Sequence, residues 1–389
     1  MSADFPLAAR EDWLKRVNAV LKGASFEQKL VSATSDGIRI EPLYGRIDGP
    51  RAGTAVAAPW TVQARVDHPD AHKANSQALD DLGNGATGLT LVCKGHATAR
   101  GFGIAVEDLA RVLSGVQLHA VALRVEGDAE AATALAQFIA RQPIDPERLD
   151  ISFGLSDPAL VNRLAAQGFR GPFLEADGRS LHEQGATEAQ ELGMVLATAT
   201  KFLRASEPSA IGVTLAADRD MFLTLAKFRA LRLLWRRVLE ASSLPDASLR
   251  IHAETSWRMM GTHDPYSNIL RSCAAVFGAG LGGTNSICVL PFSLSQGLPN
   301  GFARRIARNI QSVLLEEANL WRVADPASGA GYVEHLTGEL CEKAWSVFQN
   351  AERGEFPKLD GSNARSLPVI GTSAYRLPVE PQAQVETPR

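Results

Sequence analysis

The feature that most restricts the fold of this 389-residue chain is a repeated alternation of strand-like runs with amphipathic helical runs. It starts near residue 52, and helical patterns follow most of the strand-like runs. The predicted strands cover residues 54–60, 87–93, 118–125, 149–155, 171–176, 211–216, 248–255 and 283–292. Eight such strands within roughly 300 residues are typical of an α/β fold of the (β/α)8 TIM-barrel type. An open doubly wound sheet is the alternative, because a sequence does not show closure.

The first 50 residues precede this alternation and are predicted to form an N-terminal arm, partly helical and partly extended. One face of its helical part carries the apolar residues Trp13, Leu14, Val17, Val20 and Leu21. A helix with one apolar face must bury that face, either against its own barrel or against another subunit. The barrel is predicted to span residues 51–375, and the Pro-rich polar tail at 376–389 is predicted to be disordered.

The composition argues against several classes of function. The net charge is -3, and lysines and arginines are spread along the chain, whereas a nucleic-acid-binding protein needs a concentrated basic face. No apolar run approaches the roughly 18 to 20 residues that cross a membrane, and the start resembles no secretory leader, so we expect a cytoplasmic protein. We predict no metal site, because the four cysteines are far apart: Cys93, Cys273, Cys288 and Cys341.

The densest basic run covers residues 227–240. Its apolar residues Leu231, Leu234, Trp235 and Val238 recur at helical spacing. We therefore predict a helix whose arginines form a solvated face opposite a buried one.

Four motifs in the C-terminal half carry a resemblance to a known family: RIHAETSW (250–257), DPYSNILRSC (264–273), LPNGFARRIARNIQ (298–311) and VADPASGAGYVEHLT (323–337). Together with TSDGIRIEPLYG (34–45) in the arm, they resemble the methylmalonyl-CoA mutase family, whose members rearrange acyl-CoA carbon skeletons by radical chemistry with adenosylcobalamin. The resemblance covers nearly the whole chain. It implies a TIM-type barrel, a role in propionate metabolism and an arm that wraps a partner subunit.

The same resemblance identifies positions at which the residues needed for catalysis have been replaced. Arg65 stands where catalytic members have a tyrosine that wedges between cobalamin and substrate. Arg179 and Ser180 replace a tyrosine and the histidine that bonds the thioester carbonyl, and Cys288 replaces a histidine on the eighth strand. The loss of one positioned acid or donor typically costs roughly 10² to 10⁴ in rate. We therefore predict no catalytic residue in this chain, and we do not expect His182, two residues along, to substitute.

Catalytic single-chain members also carry a cobalamin domain with the pattern Asp-x-His-x-x-Gly, which does not occur here. We expect any cobalamin to come with another polypeptide. The resemblance therefore implies the non-catalytic small subunit of a heterodimeric mutase, which stabilises a catalytic large subunit that holds the cofactor. The alternative is a catalytic barrel that uses a cobalamin domain on a separate chain.

Weak cofactor-binding candidates at the predicted barrel mouth are Glu183, His252, Thr255 and Asn285. The runs at 54–60 and 286–292 are mostly apolar, which predicts a filled barrel and not an open channel for a CoA chain. Arg65 and Arg179 either capture an anionic metabolite at the mouth or pair with a carboxylate such as Glu183 and plug the barrel. We favour the plug.

Overall fold

The computed structural model describes residues 9–52, 56–359, 361 and 369–386, and at its centre lies a sheet of eight parallel strands. The strands, in chain order, are β1 (Thr61–Val66), β2 (Gly88–Val92), β3 (Ala122–Glu126), β4 (Ile151–Ser152), β5 (Leu174–Asp177), β6 (Ile211–Ala217), β7 (Arg250–Thr255) and β8 (Ser286–Cys288). Strand β8 pairs with both β7 and β1. Backbone hydrogen bonds from Phe153 to Pro172 and from Leu155 to Phe173 bring β4 beside β5. The predicted TIM-type barrel is confirmed, and the open sheet is rejected.

Helices surround this barrel. They are α1 (Arg10–Leu21), α2 (Phe26–Leu30), α3 (Ala71–Gly83), α4 (Leu109–Val112), α5 (Ala129–Ala140), α6 (Val161–Ala166), α7 (Arg179–Glu183), α8 (Glu188–Leu203), α9 (Met221–Ala241), α10 (Ser267–Leu281), α11 (Gly301–Ser312) and α12 (Gly331–Glu352). Side chains of Asp70, Asp128 and Thr187 cap α3, α5 and α8 by accepting hydrogen bonds from backbone N–H groups of the first turn. Helix α12 packs across α8 and α9 and adds an outer layer to the barrel.

The first strand begins later than predicted. The sequence places it at 54–60, whereas β1 covers Thr61–Val66; residues 54 and 55 lie outside the described part of the chain. The apolar run before Trp60 resembles a buried strand more closely than TVQARV does, because Gln63 and Arg65 interrupt the latter. Both polar side chains are nevertheless buried, at 5% and 3% exposure.

The basic run at 227–240 forms part of α9, but the prediction that its arginines are solvated is wrong for two of them. Arg229 and Arg232 are buried, as is Lys227, whereas Arg236 and Arg237 are exposed. Helix α9 packs against α8, α10 and α12, so most of its circumference is covered. Carboxylate and carbonyl oxygens from distant segments accept hydrogen bonds from these buried cations.

The arm is attached to the barrel layer by its extended part. Ile38 is fully buried, and the ring of Tyr44 lies 5.3 Å from that of Tyr332 in α12. Helix α1, in contrast, has no buried residue, and Val20 is 80% exposed. Its Trp13 makes an edge contact with Phe26 of α2. The apolar face of α1 is thus not covered by the barrel of its own chain.

The tail predicted to be disordered has defined contacts as far as residue 386. Val385–Glu386 pairs antiparallel with Leu298–Pro299, and the Glu380 carboxylate accepts a hydrogen bond from the backbone of Asp264. Residues 387–389 lie outside the described part. The sequence prediction did not anticipate these contacts, because short polar segments that pair with a distant loop carry no local signal. Within the described ranges, no helix is long and apolar enough to cross a membrane.

Candidate functional site

Alternation along the strands places charged side chains inside the barrel. Successive residues of a strand point to opposite faces, so when Val62 and Val66 pack among the helices, Gln63 and Arg65 face inward. Strands β3, β5 and β7 contribute further inward-facing polar residues: Arg124, Glu126, Glu175, His252 and Glu254. The barrel is filled, but its interior is charged and not apolar as the sequence analysis predicted. The period of two in TVQARV, ALRVE and RIHAET is the signal that would have found these residues.

Arg179 is the centre of the upper part of this interior. Its Nη1 lies 2.6 Å from Oε1 of Glu126 and 3.0 Å from Oε2 of Glu254, and its Nη2 lies 2.6 Å from Oδ2 of Asp177. All of these side chains are buried except that of Asp177, which is one third exposed. A guanidinium group held by three carboxylates has no charge left for an anionic ligand.

Arg65 and Arg124 complete the interior ion cluster, which we define as Arg65, Arg124 and Arg179 with Asp67, Glu126, Glu175, Asp177 and Glu254. The Nε atom of Arg65 lies 2.6 Å from Oδ2 of Asp67. The guanidinium of Arg124 lies 3.1 Å from Glu175 and 3.3 Å from Glu126. Arg65 and Arg179 are thus paired with carboxylates, as the plug hypothesis expects, but these belong to strand residues and to Asp67 and not to Glu183.

The two central carboxylates differ in their titration. Burial by itself would raise the pKa of Glu126, but Arg179, Arg124 and Arg65 outweigh it and hold that pKa well below its usual value. Burial raises the pKa of Glu254, and Arg179 offsets this only in part. Glu254 is therefore the carboxylate of this pair that takes up a proton more readily.

A loop after β2 covers the interior on one side; we call residues 93–104 the mouth loop. The backbone carbonyl of Thr98 accepts a hydrogen bond from Arg65, and the Thr98 hydroxyl donates to Glu126. Arg100 pairs with Glu183 at 2.9 Å and lies 4.6 Å from the ring centroid of Trp257. A cavity of about 550 Å³ remains beside the loop, among the segments that follow β2 to β5.

The weak candidates do not converge on one site. Glu183 lies at the mouth, but its carboxylate forms an ion pair with Arg100. The Thr255 hydroxyl accepts a hydrogen bond from the backbone of Leu290 at 2.8 Å, which is a structural contact. Asn285 was predicted at the mouth but precedes β8, at the opposite end of the barrel, where its side chain accepts from the backbone of Ile251 at 2.9 Å.

His252 and the substituted positions Ser180 and Cys288 also lack catalytic geometry. His252 is buried in the middle of β7, 2.8 Å from the Ser286 hydroxyl, and burial holds its pKa well below the usual value, so the ring is neutral. Ser180 is exposed on α7 and accepts a hydrogen bond from the side chain of Gln184. Cys288 is fully buried, and burial raises the pKa of its thiol.

His182 lies in a separate buried network that the sequence analysis missed. Its Nδ1 is 3.1 Å from Glu191, and its Nε2 is 3.1 Å from Asp218 and 3.0 Å from the Ser256 hydroxyl. Lys227 also reaches Glu191, at 2.8 Å. Burial lowers the pKa of His182, but the two carboxylates outweigh it and raise the pKa overall. Both ring nitrogens are occupied by protein groups, so His182 is not placed to act on a ligand.

The motif at 323–337 serves to hold helices together. Arg229 of α9 is fully buried and lies 3.0 Å from both Asp325 and Glu334. It also donates to the hydroxyl of Thr337 at 3.1 Å. We call these four residues the helix-layer cluster. This motif therefore fixes α12 to α9.

The motif at 298–311 has a similar role. Arg304 and Arg308 of α11 both pair with Asp81 of α3, and all three side chains are buried. Within the described residues, no group of three or more His, Cys, Asp and Glu side chains is arranged to hold a metal ion. The motifs at 298–311 and 323–337 thus support the scaffold in this chain.

Comparisons with known proteins agree with that resemblance. A family model described as methylmalonyl-CoA mutase matches residues 173–355. The methylmalonyl-CoA mutase small subunit of Streptomyces virginiae is 37% identical over 91% of this chain and 65% of its own length. That of Propionibacterium freudenreichii subsp. shermanii is 34% identical over 91% and 63%. A probable methylmalonyl-CoA mutase small subunit of Mycobacterium bovis is 35% identical over 92% and 68%. The chain thus spans about two thirds of the length of these relatives.

Proposed function

The chain belongs to the methylmalonyl-CoA mutase family, and from this premise we propose that it is the non-catalytic small subunit of a heterodimeric mutase. In this proposal it stabilises a catalytic large subunit, and the complex interconverts methylmalonyl-CoA and succinyl-CoA in the cytoplasm. The adenosylcobalamin is carried by the large subunit. The names of the similar proteins support the assignment to a small subunit.

The observation that carries this proposal is the interior ion cluster. Arg65 and Arg179 stand at positions where the resemblance implies catalytic side chains, and both are bound to buried carboxylates. Removing one partner from a buried ion pair typically costs about 3 to 5 kcal/mol. A thioester substrate would have to separate several such pairs to enter. The interior ion cluster therefore opposes the entry of a thioester into the barrel.

The residues at the mouth do not fit a bound cobalamin. The mouth loop is fixed over one side of the interior by the contacts of Thr98 with Arg65 and Glu126 and by the ion pair of Arg100 with Glu183. In the same loop, the Nδ1 atom of His96 forms a hydrogen bond with the Thr98 hydroxyl at 2.8 Å. We therefore assign the cofactor to the partner chain and derive no chemical step on it here.

The N-terminal arm supports a role in assembly. None of the residues of α1 is buried, although the helix carries five apolar residues on one face. Burying an apolar side chain contributes about 1.5 to 3 kcal/mol. We propose that residues 1–50 wrap the large subunit and that α1 packs its apolar face there.

The test is to purify this chain and the catalytic large subunit separately and together, and to assay interconversion of the two CoA esters with adenosylcobalamin. We expect no turnover by this chain alone, full turnover by the complex, and lower thermal stability of the large subunit alone. Turnover by the isolated chain would overturn the proposal.

The same preparations distinguish the alternative of a catalytic barrel with a separate cobalamin domain. That alternative requires tight binding of an acyl-CoA to the isolated chain. Calorimetry with succinyl-CoA measures this directly, and we expect no binding.

A further inference from the structure

A cavity of about 480 Å³ lies away from the mouth, beside the amino end of β7. It is formed by the second half of α9, the segment 246–249 and the segment 323–328. Its wall includes three arginines, Arg51, Arg232 and Arg236. Arg51 and Arg236 are exposed, so the cavity is reached from solvent, whereas Arg232 is 7% exposed. The volume is in the range that takes small molecules.

Arg232 is a buried cation that has only neutral partners. Its guanidinium donates to the backbone carbonyls of Gly283 and Leu249 and to the side-chain oxygen of Asn285. In the described part of the chain, no carboxylate forms an ion pair with it. Arg229, one turn earlier on α9, has two carboxylate partners. Burying a charge without a counter-charge is costly, and burial lowers the pKa of Arg232 to about 10.

The other two arginines at this wall are also without a carboxylate partner among the described residues. The guanidinium of Arg236 contacts the backbone carbonyl of Arg51 at 3.4 Å. Of the two aspartates in the wall, Asp325 is already held by Arg229 and by the backbone N–H of Ala52. Three arginines against the one remaining aspartate, Asp246, leave an excess of two positive charges.

Trp235 provides an independent observation at the same wall. It is 2% exposed, and its indole N–H is buried without a hydrogen-bond acceptor in the described structure. A buried donor without a partner needs an acceptor, which a water molecule or an anion in the cavity would supply. The exposed hydroxyl groups of Ser248 and Ser328 add further donors to the wall.

We propose that this cavity binds a phosphomonoester, with the phosphate among Arg51, Arg232 and Arg236. A phosphate monoester carries a charge of about -1.5 to -2 at pH 7, which matches the excess of positive charge. The exposed guanidinium groups of Arg51 and Arg236 donate to the phosphate oxygens. Arg232, most of whose N–H groups already bind Gly283, Leu249 and Asn285, contributes its positive charge. The cavity is larger than one phosphate group, and the remaining volume takes the organic part of the ester.

The experiment is a calorimetric titration of the full chain with phenyl phosphate, an ester whose organic part is uncharged. The variants are Arg236→Gln and Arg51→Gln, at exposed positions where folding is not at risk. The matched control is Arg237→Gln, which makes the same change of charge at the next residue of α9, where Arg237 pairs with Glu240 outside this cavity. We expect each cavity variant to weaken binding about tenfold or more. The control keeps the wild-type affinity within about twofold.

Three results would overturn the proposal. The first is no saturable binding of phenyl phosphate to the wild-type chain. The second is an equal loss of affinity in Arg237→Gln and Arg236→Gln, since this would reflect only the overall charge of the surface. The third is benzoate binding as tightly as phenyl phosphate, which would show that the site does not select a dianion.

Discussion

The barrel interior and the helix layer each contain a buried network of ion pairs, but the two differ in how completely their polar atoms are paired. In the helix-layer cluster, Arg229 makes five hydrogen bonds of 3.0 to 3.2 Å to Asp325, Glu334 and Thr337. In the interior ion cluster, Nη1 of Arg65 makes no hydrogen bond in the described structure and lies 3.9 Å from Oε2 of Glu254, an atom that itself has only an ion pair with Arg179 at 3.0 Å.

This difference separates two roles for buried charge. The helix-layer cluster joins α9 to α12 and to the segment before it, so every donor has a fixed acceptor. The interior ion cluster fills the space at which the resemblance implies substrate chemistry, and it does so with an excess of carboxylates. A network in which some polar atoms lack a hydrogen bond contributes less to stability than its number of charges suggests. We therefore expect substitutions in the two networks to differ in cost.

The largest effect is expected for Arg229→Met. This change leaves Asp325 and Glu334 buried without a counter-charge, and it should lower the free energy of unfolding by about 3 to 5 kcal/mol. Urea denaturation of the isolated chain measures it. The control is Arg237→Met on the same helix, whose exposed ion pair with Glu240 is worth less than about 1 kcal/mol. Equal costs for the two variants would contradict the role given to the helix-layer cluster.

A smaller effect is expected for Arg179→Met in the barrel interior. Glu126 keeps Arg124 as a partner, and Asp177 is partly exposed and regains water. We expect a loss of about 2 to 3 kcal/mol in the free energy of unfolding, at or below the lower limit of about 3 kcal/mol that is typical of a broken buried pair. The double variant with Glu254→Gln should recover part of it, because one uncompensated carboxylate is removed. If Arg179→Met lost more free energy of unfolding than Arg229→Met, the interior ion cluster would be the more stabilising of the two networks, contrary to this prediction.

The alternation of strands and helices was sufficient to predict an α/β fold with eight strands, because its period is a local property of the sequence. It favoured the barrel but did not show closure. The partners of the charged residues were not predictable in the same way. Barrel closure brings Arg65, Glu126, Arg179 and Glu254 together from four strands or their ends, and no spacing along the chain indicates this. Likewise, Arg229 was predicted to face solvent because its two carboxylate partners lie about 100 residues further along the chain.

The smallest effect is expected for Glu254, and it distinguishes this residue from Glu126 within the same interior ion cluster. The pKa of Glu126 is lowered in the folded chain, so its contribution to stability is present above its unfolded value of about 4.5 and is lost as pH falls from there through the lower folded pKa. The pKa of Glu254 is raised, so the folded chain binds a proton that the unfolded chain releases. Its contribution is therefore present below about pH 4.5 and is lost as pH rises through the folded pKa.

Urea denaturation of Glu126→Gln and Glu254→Gln from about pH 4 to about pH 8 separates these cases. At pH 8, Glu254→Gln should change the free energy of unfolding by less than about 1 kcal/mol, because the neutral amide avoids burying a charge that lacks a full set of hydrogen bonds. Its deficit relative to the wild type should shrink as pH rises, whereas that of Glu126→Gln should grow. Parallel pH profiles for the two variants would mean that both carboxylates are equally paired, and the barrel interior would then be as well satisfied as the helix-layer cluster.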